Sequence, residues 1–354
     1  MSGAEPLPLA RSLELLRRAP CMDVASVGPD GEPLLRPLLG VLLDGDPCFH
    51  GGPRGAKGGL AGREAVVSVH ETLATIPSYF VDPRRACPAT TWYRSVQVRG
   101  RLEEIEDAEE RAEVLRRLMV RFQPEGGYVP IAPEHPLYRN AIRGLMILRL
   151  RSREVVGRIK IGANRSPEER SRILEGLWRR GEPGDVEAVG DVLRLAPGLP
   201  TPAFLEAPEG TELLPCPAVH DDAVAGATAL LEGQYWNVGC PSSVIAEAHA
   251  QADAWIAARD EGGRIVGTAR AISDGAKHAW IYGVAVDRAW RGRGLGRAIM
   301  ELLMDHPRLR RTEWIHLSTK DAQGFYEGLG FGPTDSVCRV PWTRARLSRR
   351  RRSA

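Results

Sequence analysis

No stretch of this sequence is apolar for long enough to cross a bilayer, and the N-terminus lacks the apolar core of a secretory leader. The chain is therefore expected in the cytoplasm. Its cysteines are few and scattered, at Cys21, Cys48, Cys87, Cys216, Cys240 and Cys338. They form no Cys-x-x-Cys pair, so neither a zinc ribbon nor a redox dithiol is expected, and no metal site is assigned. Gly-x-Gly-x-x-Gly is missing, as is a glycine loop followed by Lys-Ser/Thr, which argues against the common dinucleotide and P-loop sites. No internal repeat relates the two halves. Nor is the body basic. The formal charge of +3 includes six arginines near the C-terminus (Arg344, Arg346, Arg349, Arg350, Arg351 and Arg352), so without them it becomes −3. A nucleic-acid partner is not expected, and the arginine run reads as a solvated tail. What remains is a soluble composition, 43% hydrophobic and 26% charged, over 354 residues, which suits two domains.

The most informative stretch lies in the second half. Ile281 to Val286 is a short apolar run suited to a buried strand, and Ala298, Ile299, Leu302 and Leu303 recur at helical spacing. Between them, Gly292, Gly294 and Gly296 remove the Cβ atoms that would hold an anion away from the backbone. Amides pointing from such a loop, beside a helix N-terminus, make a phosphate site, and Arg291, Arg293 and Arg297 add charge. The segment Arg291 to Gly296 fits the Arg/Gln-x-x-Gly-x-Gly/Ala pattern and resembles that of the GNAT (Gcn5-related) N-acetyltransferases. The flanks agree, with Ile265-Val266-Gly267-Thr268-Ala269-Arg270 in a predicted hairpin and Phe325-Tyr326-Glu327-Gly328-Leu329-Gly330-Phe331 after the next strand. The resemblance covers about Leu213 to Pro341.

This resemblance implies acetyl-CoA as cosubstrate and a small-molecule amine as acceptor. It places backbone groups of Val284 and Val286 on the pantetheine arm and acetyl carbonyl. Arg291, Gly292, Arg293, Gly294, Gly296 and Arg297 would hold the phosphates, and Tyr326 would be the general acid at the sulfur. Relatives often carry a carboxylate on the central strand. Here that strand reads Trp280-Ile281-Tyr282-Gly283, leaving His278, Asp274 and Tyr282 as the nearby titratable groups. Proximity to a bound thioester supplies much of the rate, so a dedicated base is dispensable.

The first half reads as short strands joined by tight turns. Leu9, Leu13 and Leu16 make an amphipathic helix closed by Pro20, and Met22 to Val27 leads through Gly28-Pro29-Asp30-Gly31 to a return strand from Leu34 to Leu43. Asp44-Gly45-Asp46 turns into Pro47 to His50. A glycine-rich loop, His50 to Leu60, then precedes an expected short helix. Strands are expected at Ala65 to Val69, Thr91 to Leu102 and Ile142 to Leu150, with helices at Asp107 to Phe122, Pro167 to Arg180 and Gly184 to Leu193. Ser166-Pro167-Glu168-Glu169 carries a capping box.

Three features are similar to the pyridoxamine 5′-phosphate oxidase-like split barrels, in particular their FMN-binding regulators. They are His50-Gly51-Gly52 with Lys57, the strand Thr91-Trp92-Tyr93-Arg94-Ser95-Val96-Gln97-Val98-Arg99-Gly100, and Lys160-Ile161-Gly162-Ala163-Asn164-Arg165-Ser166. The resemblance runs from about Arg11 to Leu193. It implies FMN near His50, Lys57, Trp92 and Gln97, and a homodimer built through the barrel. Ala163 stands where that branch tends to have glutamine, and several relatives bind haem or nothing.

Pro/Gly-rich residues 196–212 read as a linker between a split-barrel domain, 1–195, and a GNAT domain, 213–342, with 343–354 as the basic tail. The expected fold class is α+β: an N-terminal split β-barrel with flanking helices and a C-terminal GNAT α/β fold with a mixed sheet. The expected activity is N-acetylation of a small amine. The alternative is a flavin-dependent oxidoreductase or FMN-binding transcriptional regulator that uses the acetyltransferase fold as an acyl-CoA sensor.

Overall fold

The computed structural model describes residues 3–28, 30–52, 59–196, 198–220 and 222–333. Lys57 and the arginine tail, both singled out above, lie outside the described residues. The architecture is mixed α+β, with two sheets, as expected.

The first sheet is built from β1 (Ala4–Pro6), β2 (Met22–Val27), β3 (Pro33–Leu38), β4 (Gly40–Leu43), β5 (Asp46–Gly51), β6 (Glu64–Ile76), β7 (Thr90–Glu104) and β8 (Met146–Lys160). Its order is β3-β2-β6-β7-β8-β5-β4, with β1 on β8, and every pairing is antiparallel. The predicted strand from Leu34 to Leu43 is thus two strands on opposite edges of the sheet. The chain changes partners at Leu39, and this step rolls the sheet into a split barrel. Asp44 and Gly45 follow, both at positive φ (51° and 89°), so β4 and β5 meet through a two-residue turn whose twist suits a hairpin.

Helix α1 (Leu9–Arg18) packs Leu15 and Leu16 into the barrel core with Trp92, Val96 and Leu150. Helices α2 (Ala108–Phe122) and α3 (Arg139–Gly144) pack together through Ala112 and Ile142. Ile142 is therefore helical, where a strand was expected; the strand begins at Met146 and runs on to Lys160. The short helix expected after residue 60 is absent among the described residues, where turns lead into β6. Helix α4 (Pro167–Arg180) has the predicted capping box: Ser166 Oγ accepts from Glu169 N at 3.2 Å and the Glu169 carboxylate accepts from Ser166 N at 3.3 Å. Helix α5 (Asp185–Leu195) completes this half.

The second sheet comprises β9 (Thr211–Leu214), β10 (Ala254–Asp260), β11 (Ile265–Ser273), β12 (His278–Val286) and β13 (Trp314–His316), in the order β13-β12-β11-β10-β9. Helices α6 (Ala223–Leu231) and α7 (Ser242–Ala250) cover one face, and α8 (Leu295–Asp305) covers the other with Leu295, Ile299, Met300 and Leu303. A short helix, α9 (Gln323–Glu327), follows β13. None of the described helices is long and apolar enough to cross a membrane.

The stretch predicted as a spacer is packed. Phe204 stacks on Trp178 of α4 with ring centroids 4.7 Å apart, and Leu205 is buried in the second core. Trp178 Nε1 donates to Asp305 Oδ2 of α8 at 2.6 Å, and its ring meets His306 edge-on. His306 is itself buried, and burial beside Arg308 and Arg310 pushes its pKa down to about 3. Below pH 6.5 the unfolded chain takes up a proton that the native state refuses until near pH 3, so acid favours unfolding. Stability should fall by about 2 kcal/mol between pH 7.5 and 5. Denaturant unfolding at the two pH values measures this. A slope that persists in His306→Leu would put the effect at His220 or His249, whose pKa values burial also lowers.

Candidate active site

The parallel pairing of β12 with β13 is short: His278, Ala279 and Trp280 lie opposite Trp314, Ile315 and His316. On its other side β12 carries a bulge. Arg270 faces Tyr282 and Thr268 faces Ala285, so Gly283 and Val284 together oppose Ala269. Gly283 takes φ 60°, a conformation that favours glycine. The bulge reverses the strand's facing: Ile281 packs toward α8, while Ala285 packs with Leu231 and Ile245 under α6 and α7. Beyond it the two strands diverge and leave a groove of about 980 Å³.

One end of the groove is the glycine loop. The amides of Gly292, Arg293, Gly294, Leu295, Gly296 and Arg297 have no hydrogen-bond acceptor among the described residues. The first helical bond of this turn is Ala298 N to Gly294 O, at 3.1 Å. Six successive donors at the start of α8 are an arrangement chemically suited to an anion. Gly292 and Gly294 have φ of 73° and 85°. A Cβ on Gly296 would meet Phe325 and Val286 at 3.5 Å, an ordinary contact on the wall of the groove.

The arginines serve the loop itself. Arg291 Nε donates to Val286 O at 3.0 Å, so that carbonyl is already engaged. Arg297 donates to Gly328 O at 3.0 Å and pairs with Glu301 at 3.2 Å. Arg293 sits 5.0 Å over the Trp290 ring and lines a separate depression with Asp260 and Glu261. Val284, Val286, Arg291, Gly292, Gly294, Gly296, Arg297 and Tyr326 are brought together on the groove, whereas Arg293 is turned away from it.

Tyr326 is half-buried between Phe325 and Phe331, and burial pushes its pKa up to about 12, with smaller contributions from Tyr235 and Asp321. Its hydroxyl is thus a proton donor at neutral pH. Across the groove, Tyr235 accepts from Lys320 N at 3.2 Å, tying the two walls together. Of the titratable groups named near β12, Asp274 accepts from the amides of Ala276, Lys277 and His278, which lowers its pKa and gives it a turn-building role. His278 Nδ1 lies 3.1 Å from His316 Nε2.

One group escaped sequence reasoning. His249 on α7 is 3% exposed, and its Nδ1 donates to Ile245 O at 2.9 Å. The bare Nε2 has no partner and would lie 3.7 Å from a Cβ placed on Gly283. Helical spacing alone could not reveal this, because the contact exists only once α7 lies over the bulge.

The model of the GNAT acetyltransferase family matches residues 203–331, and that of the pyridoxamine 5′-phosphate oxidase family matches residues 9–159. The chain joins an oxidase-like domain to a GNAT acetyltransferase domain. Among solved structures, the second half is similar to a protein of Xanthomonas campestris pv. campestris assigned to the GNAT family. Identity is 27% over 38% of this chain and 96% of that one, with a TM-score of 0.34. The first half is similar to the FAD and haem binding protein of Mycobacterium smegmatis, 21% identical over 47% of this chain and 78% of that one, with a TM-score of 0.39. It is also similar to the flavocytochrome Anf3 of Azotobacter vinelandii, 21% identical over 45% and 70%, with a TM-score of 0.38.

In the oxidase-like domain His50, Trp92 and Gln97, the described residues named for FMN, do not converge within one chain. His50 faces Ile147 and Gln97 faces Val156, nine residues apart along β8 and so on the order of 30 Å. Gln97 is exposed, whereas Trp92 is fully buried and would touch a Cβ on Gly162 at 3.2 Å. His50, Trp92 and Gln97 of a single chain therefore do not form one flavin cradle.

The glycines differ in what they tolerate. Gly294→Ala forces a side chain into positive φ and should destabilise the domain by about 1 kcal/mol. Gly296→Ala, inside α8, should be neutral or slightly stabilising. Denaturant unfolding of both variants checks the order; the reverse order would contradict this loop geometry.

Proposed function

We propose that the acetyltransferase domain transfers an acetyl group from acetyl-CoA to a small amine, by direct attack of the amine on the thioester. The observation that carries this reading is the run of unpaired amides from Gly292 to Arg297, in a loop that lines the groove where β12 and β13 part. These amides would hold the diphosphate, and a helix N-terminus suits that charge. The backbone of Val284, at the bulge, is the remaining main-chain partner for the acyl arm, because Val286 O already accepts from Arg291. In the transfer the nitrogen–carbon bond forms and the carbon–sulfur bond breaks. Tyr326 donates its proton to the departing sulfur, and the nitrogen's proton leaves toward water or His249 Nε2. In the same reading, the oxidase-like domain pairs two copies of the chain through its barrel.

Isothermal titration with acetyl-CoA should show one site per chain. Gly296→Val, whose side chain would project into the groove, should weaken binding at least ~10-fold while the protein stays folded. An absence of binding to the wild type would overturn the reading.

Tyr326→Phe should lower kcat by about 10²-fold and change the acetyl-CoA Kd by less than about 3-fold. If Kd moves in parallel with kcat, Tyr326 merely packs. Because its phenol stays protonated up to about 12, wild-type kcat should show no alkaline decline through about pH 10.

A further inference from the structure

Arg270 lies at the centre of the second sheet, opposite Tyr282 and beside the bulge. It is half-buried, yet no carboxylate or carbonyl pairs with it among the described residues; its guanidinium lies over the Tyr282 ring, 5.2 Å from Cζ to centroid, and Trp255 faces it on β10. The Arg270 nitrogens keep some contact with water, yet a half-buried guanidinium without a counter-ion is still costly, and burial does lower its pKa. Such a group points to an anion that arrives from outside.

The surroundings sharpen the choice. Tyr282 is 42% exposed and lines the groove. Its ring lies 6.4 Å from that of Trp280 and 21° from parallel, and Trp280 stacks on His316 at 4.8 Å and 19°. This aromatic ladder leads to the point where the acetyl group would sit. Charge is lopsided along the groove as a whole. The groove is lined by Arg288, Arg291, Arg297 and Lys320, against Asp321 as the one carboxylate among the described lining residues. His249, facing the same bulge, is kept neutral by burial and by Arg270. An alkylammonium would find a cation and a neutral imidazole here instead of a carboxylate.

From this arrangement we infer that the acceptor is an aromatic amine bearing a carboxylate, with the carboxylate on Arg270 and the ring against Tyr282. Tyr282 and Val284 lie two residues apart on β12, on the order of 7 Å, which one benzene ring spans between a carboxylate and a para amine. Arg270 is then a specificity determinant for the anionic end, through a charge-assisted pair. The inference rests on the acetyltransferase reading, and its test separates the two.

The test uses the full chain and follows free thiol released from acetyl-CoA. The acceptors are 4-aminobenzoate, 2-aminobenzoate, aniline and spermidine, and acetyl-CoA binding is titrated in parallel. The expected kcat/KM for 4-aminobenzoate exceeds that for aniline at least ~10-fold. The 2-isomer and spermidine should be poorer acceptors. Arg270→Gln should reduce the 4-aminobenzoate-to-aniline ratio to within about 3-fold, and Arg270→Lys should restore part of it. The inference is overturned if acetyl-CoA binds but spermidine or aniline is preferred, if none of the four is acetylated, or if the ratio survives in Arg270→Gln. If acetyl-CoA fails to bind, the acetyltransferase reading falls and takes this inference with it. Should Arg270→Gln not fold, Tyr282→Leu provides the second measurement: loss of 4-aminobenzoate turnover with acetyl-CoA affinity retained supports the inference, and unchanged turnover overturns it.

Discussion

The parting of β12 from β13 is the constraint on which the second half depends. A strand's backbone donors and acceptors need partners, and a strand that leaves its neighbour after three residues must find them elsewhere. The bulge at Gly283 and Val284 prepares this departure: it turns the remainder of β12, so that Ala285 faces α6 and α7 while the backbone edge opens into the groove. Packing the second half of the strand against α6 and α7 keeps the gap from closing. The groove is therefore a consequence of sheet geometry and does not need a mobile lid.

The glycine loop shows which kind of electrostatics matters here. Its arginines suggest an attraction of point charges, yet Arg291, Arg293 and Arg297 each have a partner inside the protein. Exposed ion pairs such as Arg297–Glu301 contribute little, roughly 0–1 kcal/mol. Their value lies in fixing the loop so that its unpaired amides stay in place beside the groove. Donors held in place before a ligand arrives need no reorganisation when it binds, which is the stronger contribution to recognising an anion.

Local features were the legible ones. Glycine spacing, the switch from strand to helix period, the Asp44-Gly45 turn and the Ser166 capping box are short-range signals, and each forms where the residues indicate. The failures share a cause in long-range pairing. Nothing near Leu39 announces that β3 and β4 belong to opposite edges, and nothing near Ile142 shows that a helical turn fits against Ala112. In the site, the loop and Tyr326 could be read because their motif is contiguous. His249 and Arg270 could not, since their meaning comes from neighbours 34 and 12 residues away that only the folded sheet supplies.

The seam between the halves bears on the site as well. Asp305 is the last residue of α8, and the unpaired amides lie at that helix's other end, 11 residues or about 16 Å away. Trp178 of the oxidase-like half holds Asp305, stacks on Phe204 and lies in the same core cluster as Leu205, Leu303 and Leu309. Taking that half away would expose apolar surface around His306 and release the C-terminal end of α8. A helix held at both ends keeps its N-terminal donors in place, and one held at a single end does so less well. The fusion thus has a mechanical consequence that requires no shared substrate: the first half buttresses the helix whose unpaired amides border the groove.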